Sequence, residues 1–461
     1  MDAKLEAGKA ATSGTLGSIA RRTPHGRPGR RPAKNPDGAF GAEALLKTVK
    51  KRFSFINESF NKLPDPRDAS RILYSASSLL WTLTLGFLNR CGSRNAMDAD
   101  RNDPAYAHTV MSMSGQDWWP EGEPLTTPCT GTACAFLEHV EPLALEAILL
   151  QTGRKLIRSK ALDWARLNGY FVIALDGTKQ ENCRAGKLVD GKSRRMVLEA
   201  KLIGPDGLAI GMLCEPMDQY DDERSKHDCE IRACKRLLPR LKAAFPKLPI
   251  CIVGDALYAC EWLFNLCEEF GWKHILTFKE GSFPAVAEEA QAQLALQKDN
   301  QATLMQQNDS IRLQWLQNVW FTKRGLQIVY CTQKGESPYD GAFVTNFEVA
   351  QAQTAEAVAV WGRHRWSIES AFHVQKHGGF GLEHTFCTSD RQAANMHLLM
   401  LLAHLLWQVV YLGLLRRIYC GCRKLTQKKL AKLIQRAMHV LGAPPGGPSG
   451  EREFQLRFSS A

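Results

Sequence analysis

The spacing of apolar residues changes near residue 167, and this change divides the chain into two parts. Between residues 45 and 167 apolar side chains recur at helical spacing, and long apolar helices are predicted at 72–88 and 143–157. After Tyr170 the apolar runs become short and are interrupted by glycine and aspartate, which is typical of strands. The pattern predicts a helical N-terminal region followed by a domain built around a sheet.

The second part predicts a mixed α/β fold. A buried strand at 171–175 is followed by a hairpin whose turn is the Gly-Pro-Asp-Gly at 204–207. The elements predicted after the first strand are strands 196–203 and 208–214, helix 228–245, strand 250–254, helix 258–270, strand 272–278, strands 311–321, 326–331 and 342–345, and helices 355–376 and 391–415. Pro239 is expected to kink or shorten the first of these helices. This order indicates a mixed sheet flanked by helices.

These elements suggest a division of the chain into segments. Residues 1–42, rich in glycine, proline and arginine, are expected to form a disordered basic arm. The remaining segments are a helical region at 43–167, an α/β domain formed by 168–278 and 348–418, a β-rich insertion at 279–347, and a basic C-terminal tail at 419–461.

Two aspartates directly follow predicted strands. Asp176 comes after the first strand, and Asp255 comes after the strand at 250–254. If these strands are neighbours, both carboxylates lie at the edge where open α/β sheets bind their ligands. Taken alone, each aspartate has an ordinary alternative role, because an aspartate after a strand often opens a turn or caps a helix.

A third acid lies in a predicted helix near the C-terminal end of this domain. The polar residues of this helix are spaced by 4, 4 and 3 and therefore share one stripe: Arg365, Glu369, His373 and Lys376. The same spacing on an ordinary surface helix produces weak ion pairs. Here the intervening apolar positions, Trp366, Ile368 and Phe372, are expected to be buried, so the stripe is predicted to face a cleft.

Three carboxylates without cysteine or histidine partners suit Mg²⁺ or Mn²⁺. A shared carboxylate can hold two such ions, and an ion pair of this kind performs phosphoryl transfer. The flanking Arg365 and Lys376 are suited to binding phosphates. The sequence therefore predicts a two-metal site at Asp176, Asp255 and Glu369.

Charge and composition narrow the class of partner. The chain has a net charge of +12, and both of its ends are more basic than its middle, which favours a polyanion that runs along the protein. The 14 cysteines are not spaced as zinc ligands and are interpreted as reduced intracellular thiols. Residues 396–415 are apolar enough to cross a membrane, but His397, His404 and Gln408 favour a buried core helix.

Several of these pieces resemble bacterial insertion-sequence transposases of the DDE type. The matching residues are Asp176-Gly-Thr, the run 226–230, Asp255-Ala-Leu-Tyr, and the helix with Arg365, Glu369 and Lys376, within a resemblance that extends over residues 167–411. The resemblance implies a ribonuclease-H-like catalytic domain in which the three acids bind metal. It also implies that Arg365, Lys376 and the neighbouring His373 contact DNA. Trp320 or Trp315 could receive a flipped base, as a tryptophan of the β-rich insertion does in some of these enzymes, although a place in the core is the ordinary alternative for both. One position departs from the family, because Gly362 stands where a tyrosine is usual.

The resemblance implies a function and a set of partners. The chain is expected to cleave double-stranded DNA at transposon ends and to join those ends to target DNA with Mg²⁺ or Mn²⁺. It would work as a homodimer on DNA in the bacterial cytoplasm, associated with the nucleoid and not with a membrane. Two alternatives remain at this stage: a nuclease of the same fold without strand transfer, and an inactive or domesticated DNA-binding protein.

Overall fold

The computed structural model describes residues 38–181, 188–189, 192–217, 223–306, 309–387, 389–419, 425–441 and 456–458. Most of the predicted basic arm, residues 1–37, lies outside the described residues. Its last predicted residues are described and are helical, because the first helix begins at Gly38 and Ala42 is fully buried. The predicted boundary at residue 42 is therefore too late.

The N-terminal region is helical, as predicted. Its longest apolar helix begins where the Ser75 side chain accepts a hydrogen bond from the backbone NH of Ser78, which caps the helix, and every residue of this helix is buried. The helices are α1 (Gly38–Arg52), α2 (Ser54–Asn61), α3 (Ala76–Leu88), α4 (Arg94–Asp98), α5 (Pro104–Ser114), α6 (Thr130–Leu137) and α7 (Pro142–Arg158).

The first strands of the second part form a mixed sheet. They are β1 (Arg166–Leu167), β2 (Tyr170–Glu181), β3 (Leu188–Val189), β4 (Lys192–Ile203), β5 (Ala209–Pro216), β6 (Ile250–Gly254) and β7 (Lys273–Phe278). The hairpin of β4 and β5 pairs antiparallel with β2, whose other edge pairs parallel with β6, and β6 pairs parallel with β7. The resulting order, β5-β4-β2-β6-β7, is the ribonuclease-H-like order that the resemblance implies.

The predicted insertion is rich in strands, but it also extends the central sheet. Its elements are helix α10 (Pro284–Leu296) and strands β8 (Gln301–Gln306), β9 (Asp309–Phe321), β10 (Arg324–Lys334) and β11 (Tyr339–Thr345). Strand β11 pairs with β7, so the sheet continues without interruption from β4 to β8. The sequence did not predict α10 and β8, because the glutamine- and alanine-rich stretch that forms them shows neither helical nor strand periodicity.

The remaining helices cover the sheet. They are α8 (Glu223–Ala244), α9 (Glu261–Phe270), α11 (Ala352–His364), α12 (Trp366–His377), α13 (Asp390–Val410) and α14 (Arg416–Ile418). Pro239 lies inside α8 without ending it, so the predicted shortening is wrong. Gly271 ends α9 in the left-handed conformation with φ 67°.

Among the described residues, one helical stretch, Asp390–Ile418, is long and apolar enough to cross a membrane. Of its most apolar window, 94% is buried inside the protein, as in the core helix that the sequence favoured. It packs against α3, α7 and β5 and so joins the helical region to the sheet.

The predicted C-terminal tail contains a helix, α15 (Gln427–Leu441). This helix is amphipathic and packs against α1 and α5. Its apolar face is formed by Leu430, Ala431, Ile434 and Met438, which are all buried. This part of the chain therefore belongs to the folded body, because its apolar stripe would otherwise be exposed to water.

Candidate active site

The parallel pairing of β2 and β6 brings the two aspartates to the same level of the sheet. Ala174 of β2 stands opposite Val253 of β6, and Asp176 and Asp255 each follow two residues later. Asp176 lies within β2, which is longer than predicted and continues to Glu181, whereas Asp255 is the first residue after β6. The two aspartates therefore meet at one sheet edge, as the sequence predicted.

Helix α12 brings the third acid to this edge. Glu369 lies in the first turn of α12, and α12 packs against β2 and β4. The predicted single helix is divided into α11 and α12 at Arg365, whose Nη1 lies 2.6 Å from Oε1 of Glu369. Ile368 and Phe372 are buried as expected, but Trp366 is 57% exposed, so its predicted burial is wrong.

The three acids line one cleft together with two of the predicted DNA-binding residues. The cleft has a volume of about 980 Å³, including the solvent at its mouth. Its lining consists of Asp176, Gly177, Thr178, Lys179, Met196, Glu230, Asp255, Leu257, Glu369, Phe372, His373, Lys376 and His377. The structure thus gathers side chains that lie far apart in the sequence into one polar site.

The cleft holds more negative charge around Asp176 than its own cations neutralise. Burial and, after it, the nearby carboxylates of Glu230, Glu369 and Asp255 together raise the pKa of the Asp176 carboxyl to about 7, although Arg365 lowers it. A carboxylate in such surroundings is costly to ionise, and a bound cation would relieve that cost. The electrostatics of the cleft therefore suit a divalent cation.

Glu230 is a residue of this site that the sequence analysis did not assign. It is buried, and one of its carboxylate oxygens accepts a hydrogen bond of 2.6 Å from the hydroxyl of Tyr258. The other oxygen would lie 3.2 Å from a Cβ on Gly177, so this glycine allows Glu230 to approach β2 closely. The signal was present in the sequence, since Glu230 ends the run 226–230; the side chains of 226–229 lie outside the described residues.

The carboxylates are engaged with protein partners in this structure. Asp255 accepts a 2.9 Å hydrogen bond from the backbone NH of Leu257, and Glu369 is paired with Arg365. Among the described residues, no three histidine, cysteine, aspartate or glutamate side chains lie close enough together to hold an ion. The chemistry of the donors fits a hard divalent cation, and binding one by all three acids requires these side chains to move closer together.

Of the predicted DNA-binding residues, His373 and Lys376 lie in the cleft, whereas Trp320 lies outside it. His373 is exposed in the cleft, and Lys376 also lines it, with its Nζ 3.1 Å from a carboxylate oxygen of Glu383. Trp320 is 63% exposed on β9, but it does not line the cleft, and three strands separate β9 from β6. Trp315 is buried, so of these two tryptophans Trp320 alone presents its ring to solvent.

The departure at Gly362 has a steric explanation. A Cβ at this position would lie 2.5 Å from the ring of Phe343, because α11 packs directly on β11 here. A tyrosine at this position would displace the helix or the strand. The close packing of α11 therefore requires glycine where the resembling family usually has tyrosine.

A ribonuclease-H-like sheet with three acids in one cleft is the architecture of enzymes that act on the phosphodiester bonds of nucleic acids. The family model for the transposase DDE domain matches residues 167–406, which is more than half of the chain. The chain belongs to this family, and its function is that of a DNA transposase.

Two further comparisons complete this result. Among solved structures, the chain is similar to piggyBac transposase in a synaptic complex with hairpin DNA, at 9% sequence identity and a TM-score of 0.36, over 91% of this chain and 84% of that chain. No curated protein sequence matches this chain.

Proposed function

We propose that this transposase cleaves double-stranded DNA at the ends of its element and joins those ends to target DNA, using divalent metal ions held by Asp176, Asp255 and Glu369. One observation carries the proposal. These acids are separated by 79 and 114 residues in the sequence, yet they line one cleft. Carboxylates are expensive to bring together without a cation, so their convergence points to a site for one.

The proposed metal is Mg²⁺ or Mn²⁺. The donors are hard carboxylate oxygens, which these cations prefer, and the cysteine and histidine ligands typical of zinc are not among the three acids. When bound, a pair of such ions supplies Lewis-acid stabilisation to the attacking and leaving oxygens of a phosphodiester. The raised pKa of Asp176 supports this assignment, because an added cation would restore the carboxylate to its charged form.

The basic side chains of the cleft are proposed to hold the DNA. Lys376 and His373 lie on the same helix as Glu369, one to two turns further along, and they line the cleft beside the acids. A phosphate bound by Lys376 would therefore lie beside the carboxylates. Arg365 can make bidentate contacts with a phosphate once it separates from Glu369. In this arrangement α12 orients the scissile phosphate with respect to the acids.

The remaining partners follow from this chemistry. Joining two DNA ends to one target requires two cleavage sites, so we propose that the protein works as a homodimer on DNA. We place it in the cytoplasm, in contact with the nucleoid, because its substrate is DNA. The exposed Trp320 is proposed to stack on a base near the DNA end.

The test is metal-dependent cleavage of the DNA that flanks the gene. The purified protein is incubated with this DNA, with and without Mg²⁺, and the breaks are mapped on a sequencing gel. Glu369→Gln should bind the DNA as the wild type does and lose cleavage by about 10³-fold or more. Glu261→Gln is a matched control, because Glu261 is an exposed glutamate that also lies in the first turn of a helix.

The outcomes separate the proposal from its alternatives. Mg²⁺-dependent breaks at inverted-repeat ends, followed by joining to a second DNA, support transposition. Breaks without joining would indicate a nuclease of the same fold. Binding without breaks by the wild-type protein would indicate an inactive or domesticated DNA-binding protein and would overturn the proposed reaction.

A further inference from the structure

The exposed side of α15 carries a stripe of basic residues. They are spaced so that they share one side of the helix: Lys428, Lys429, Lys432 and Arg436. Helix α15 contains no acidic residue, and none of these four side chains has an ion-pair partner within the described part of the chain. Lys428, Lys429 and Arg436 are exposed to solvent. Their positive charge is therefore available to an external anion.

The stripe begins at the rim of the cleft. The Nζ of Lys428 donates a 3.2 Å hydrogen bond to the backbone carbonyl of His377, the last residue of α12. His377 itself lines the cleft with Lys376 and His373. The basic stripe of α15 thus begins beside the end of α12 that carries Lys376 and His377.

The opposite side of α15 is firmly attached to the protein. On this side Ile434 and Met438 are buried in the core. At the C-terminal end of the helix, on the side of the stripe, the ring of His439 stacks on that of Tyr106 at a centroid distance of 5.2 Å. The two ring nitrogens of His439 lie 3.3 Å and 3.1 Å from carboxylate oxygens of Asp100 and Asp103. A helix held in this way presents its basic stripe in a fixed orientation, which lowers the entropic cost of binding.

We infer that the basic stripe of α15 binds the sugar-phosphate backbone of the DNA duplex where it leaves the cleft, an inference that rests on the proposed function. From Lys428 to Arg436 the helix rises by about 12 Å, at about 1.5 Å per residue. One DNA strand carries a phosphate for about every 3.4 Å of helix axis, so the stripe spans about three phosphates. Its length and charge match a backbone segment, and its lysine-rich chemistry suits phosphate contacts more than base recognition.

The inference predicts a particular form of binding. Contacts with phosphates do not depend on base sequence and are weakened by salt, because each neutralised phosphate releases counterions. The logarithm of the DNA-binding constant falls linearly with the logarithm of the salt concentration. Removing three charges from the stripe should make this fall less steep, reducing the magnitude of the slope by about 2 to 3 units. The loss should be the same on duplexes with and without the transposon end.

The experiment compares two triple variants of the full-length protein. The first is Lys428→Gln/Lys429→Gln/Arg436→Gln. The control is Arg158→Gln/Lys160→Gln/Lys247→Gln, which also removes one arginine and two lysines from exposed positions. These residues precede β2 and β6 in the chain, whereas Asp255 follows the carboxyl end of β6. Fluorescence anisotropy measures binding to labelled duplexes of the flanking DNA and of a random sequence, between 50 and 200 mM salt.

The expected result is a weaker salt dependence of binding for the α15 variant on both duplexes, and the same salt dependence as the wild type for the control. A third variant, Lys428→Arg/Lys429→Arg, keeps the charge and should keep the slope; thermal unfolding checks that all variants are folded. Equal slopes for the α15 variant and the wild type would overturn the inference, as would an equal loss in the control. Mg²⁺-dependent cleavage by the wild type, measured in parallel, reports on the proposed function separately from the slopes.

Discussion

Two carboxylates that stand opposite each other in the sheet show opposite behaviour. Asp176 of β2 pairs in register with Glu199 of β4, so the two residues are direct cross-strand neighbours. Burial and nearby carboxylates raise the pKa of Asp176 to about 7. Burial also raises the pKa of Glu199, but the adjacent Lys201 and His397 lower it more strongly, to about 2.

The difference lies in what neutralises each acid. The carboxylate of Glu199 lies 2.5 Å from the Nζ of Lys201 and 3.2 Å from Nε2 of His397, and both the glutamate and the lysine are fully buried. The charged neighbours that most affect the pKa of Asp176 are other acids, and these acids line an open cleft. The protein therefore neutralises Glu199 with buried basic side chains, whereas the charged neighbours of Asp176 are mainly acids.

The buried ion pair of Glu199 and Lys201 also contacts the helix that carries Glu369. Lys201 donates a 3.2 Å hydrogen bond to the side-chain oxygen of Gln375 and lies 4.8 Å from the ring centre of Phe372. Both contacts are on α12, the helix that carries Glu369. The ion pair of Glu199 and Lys201 thus lies beneath the helix that completes the cleft.

The largest expected effect comes from removing the charge of Asp176. Asp176→Asn should lose cleavage by about 10³-fold or more. It should also stabilise the metal-free protein. The pKa of Asp176 is higher in the folded than in the unfolded protein, so the wild type loses stability as the pH rises toward 7. The asparagine variant does not titrate and keeps its stability. In EDTA, the stability gain over the wild type should grow by about 2 to 3 kcal/mol between pH 5 and pH 8.

Urea unfolding at the two pH values measures this gain. Glu261→Gln, at an exposed position that does not line the cleft, should show no such growth. A gain that stays constant or shrinks with pH would contradict the contrast between Asp176 and Glu199.

The second effect comes from breaking the buried ion pair. Lys201→Met leaves Glu199 charged and without its lysine, and should cost about 3 to 5 kcal/mol of unfolding free energy. Lys201→Met/Glu199→Leu should recover much of this loss, because it removes both charges together. Urea unfolding of the two variants measures the difference; equal destabilisation would show that Lys201 does not act by neutralising Glu199.

The smallest effect is expected from Glu230. Glu230→Gln removes one of the carboxylates that raise the pKa of Asp176, so the pH dependence of metal-free stability should shrink by about 1 kcal/mol. Tyr258→Phe is the matched comparison, since it removes the 2.6 Å hydrogen bond to Glu230 and keeps the charge. It should lower stability by about 1 kcal/mol at both pH values. A pH-independent effect of Glu230→Gln together with a pH-dependent effect of Tyr258→Phe would contradict the electrostatic role of Glu230.

Some features of the site could be predicted from the sequence because they depend on local spacing. The strand before Asp255 ends where predicted, and the four-residue spacing of Arg365 and Glu369 brings their side chains together, although Arg365 lies just before the first residue of α12. The lining of one cleft by the three acids follows from strand order, which the ribonuclease-H-like resemblance implied.

Other features depend on contacts across the fold. In β4, Glu199 and Lys201 alternate with Leu198, Ala200 and Leu202, a pattern that ordinarily indicates one solvent-facing side. In the structure both sides of this strand are buried, because α12 and α13 cover the polar side. The burial of Glu230 beside Gly177 likewise depends on how α8 meets β2.

The ion pair between Arg365 and Glu369 has a consequence for the order of events on DNA. In the metal-free protein each of these residues satisfies the other. A cation that takes Glu369 releases Arg365 toward a phosphate, and a phosphate that takes Arg365 releases Glu369 toward a cation. Such an exchange links the two ligands thermodynamically, and each must then raise the affinity for the other by the same factor. Under the proposed function, metal and DNA would therefore be reciprocal effectors, and the protein would hold its metal more weakly without DNA than with it.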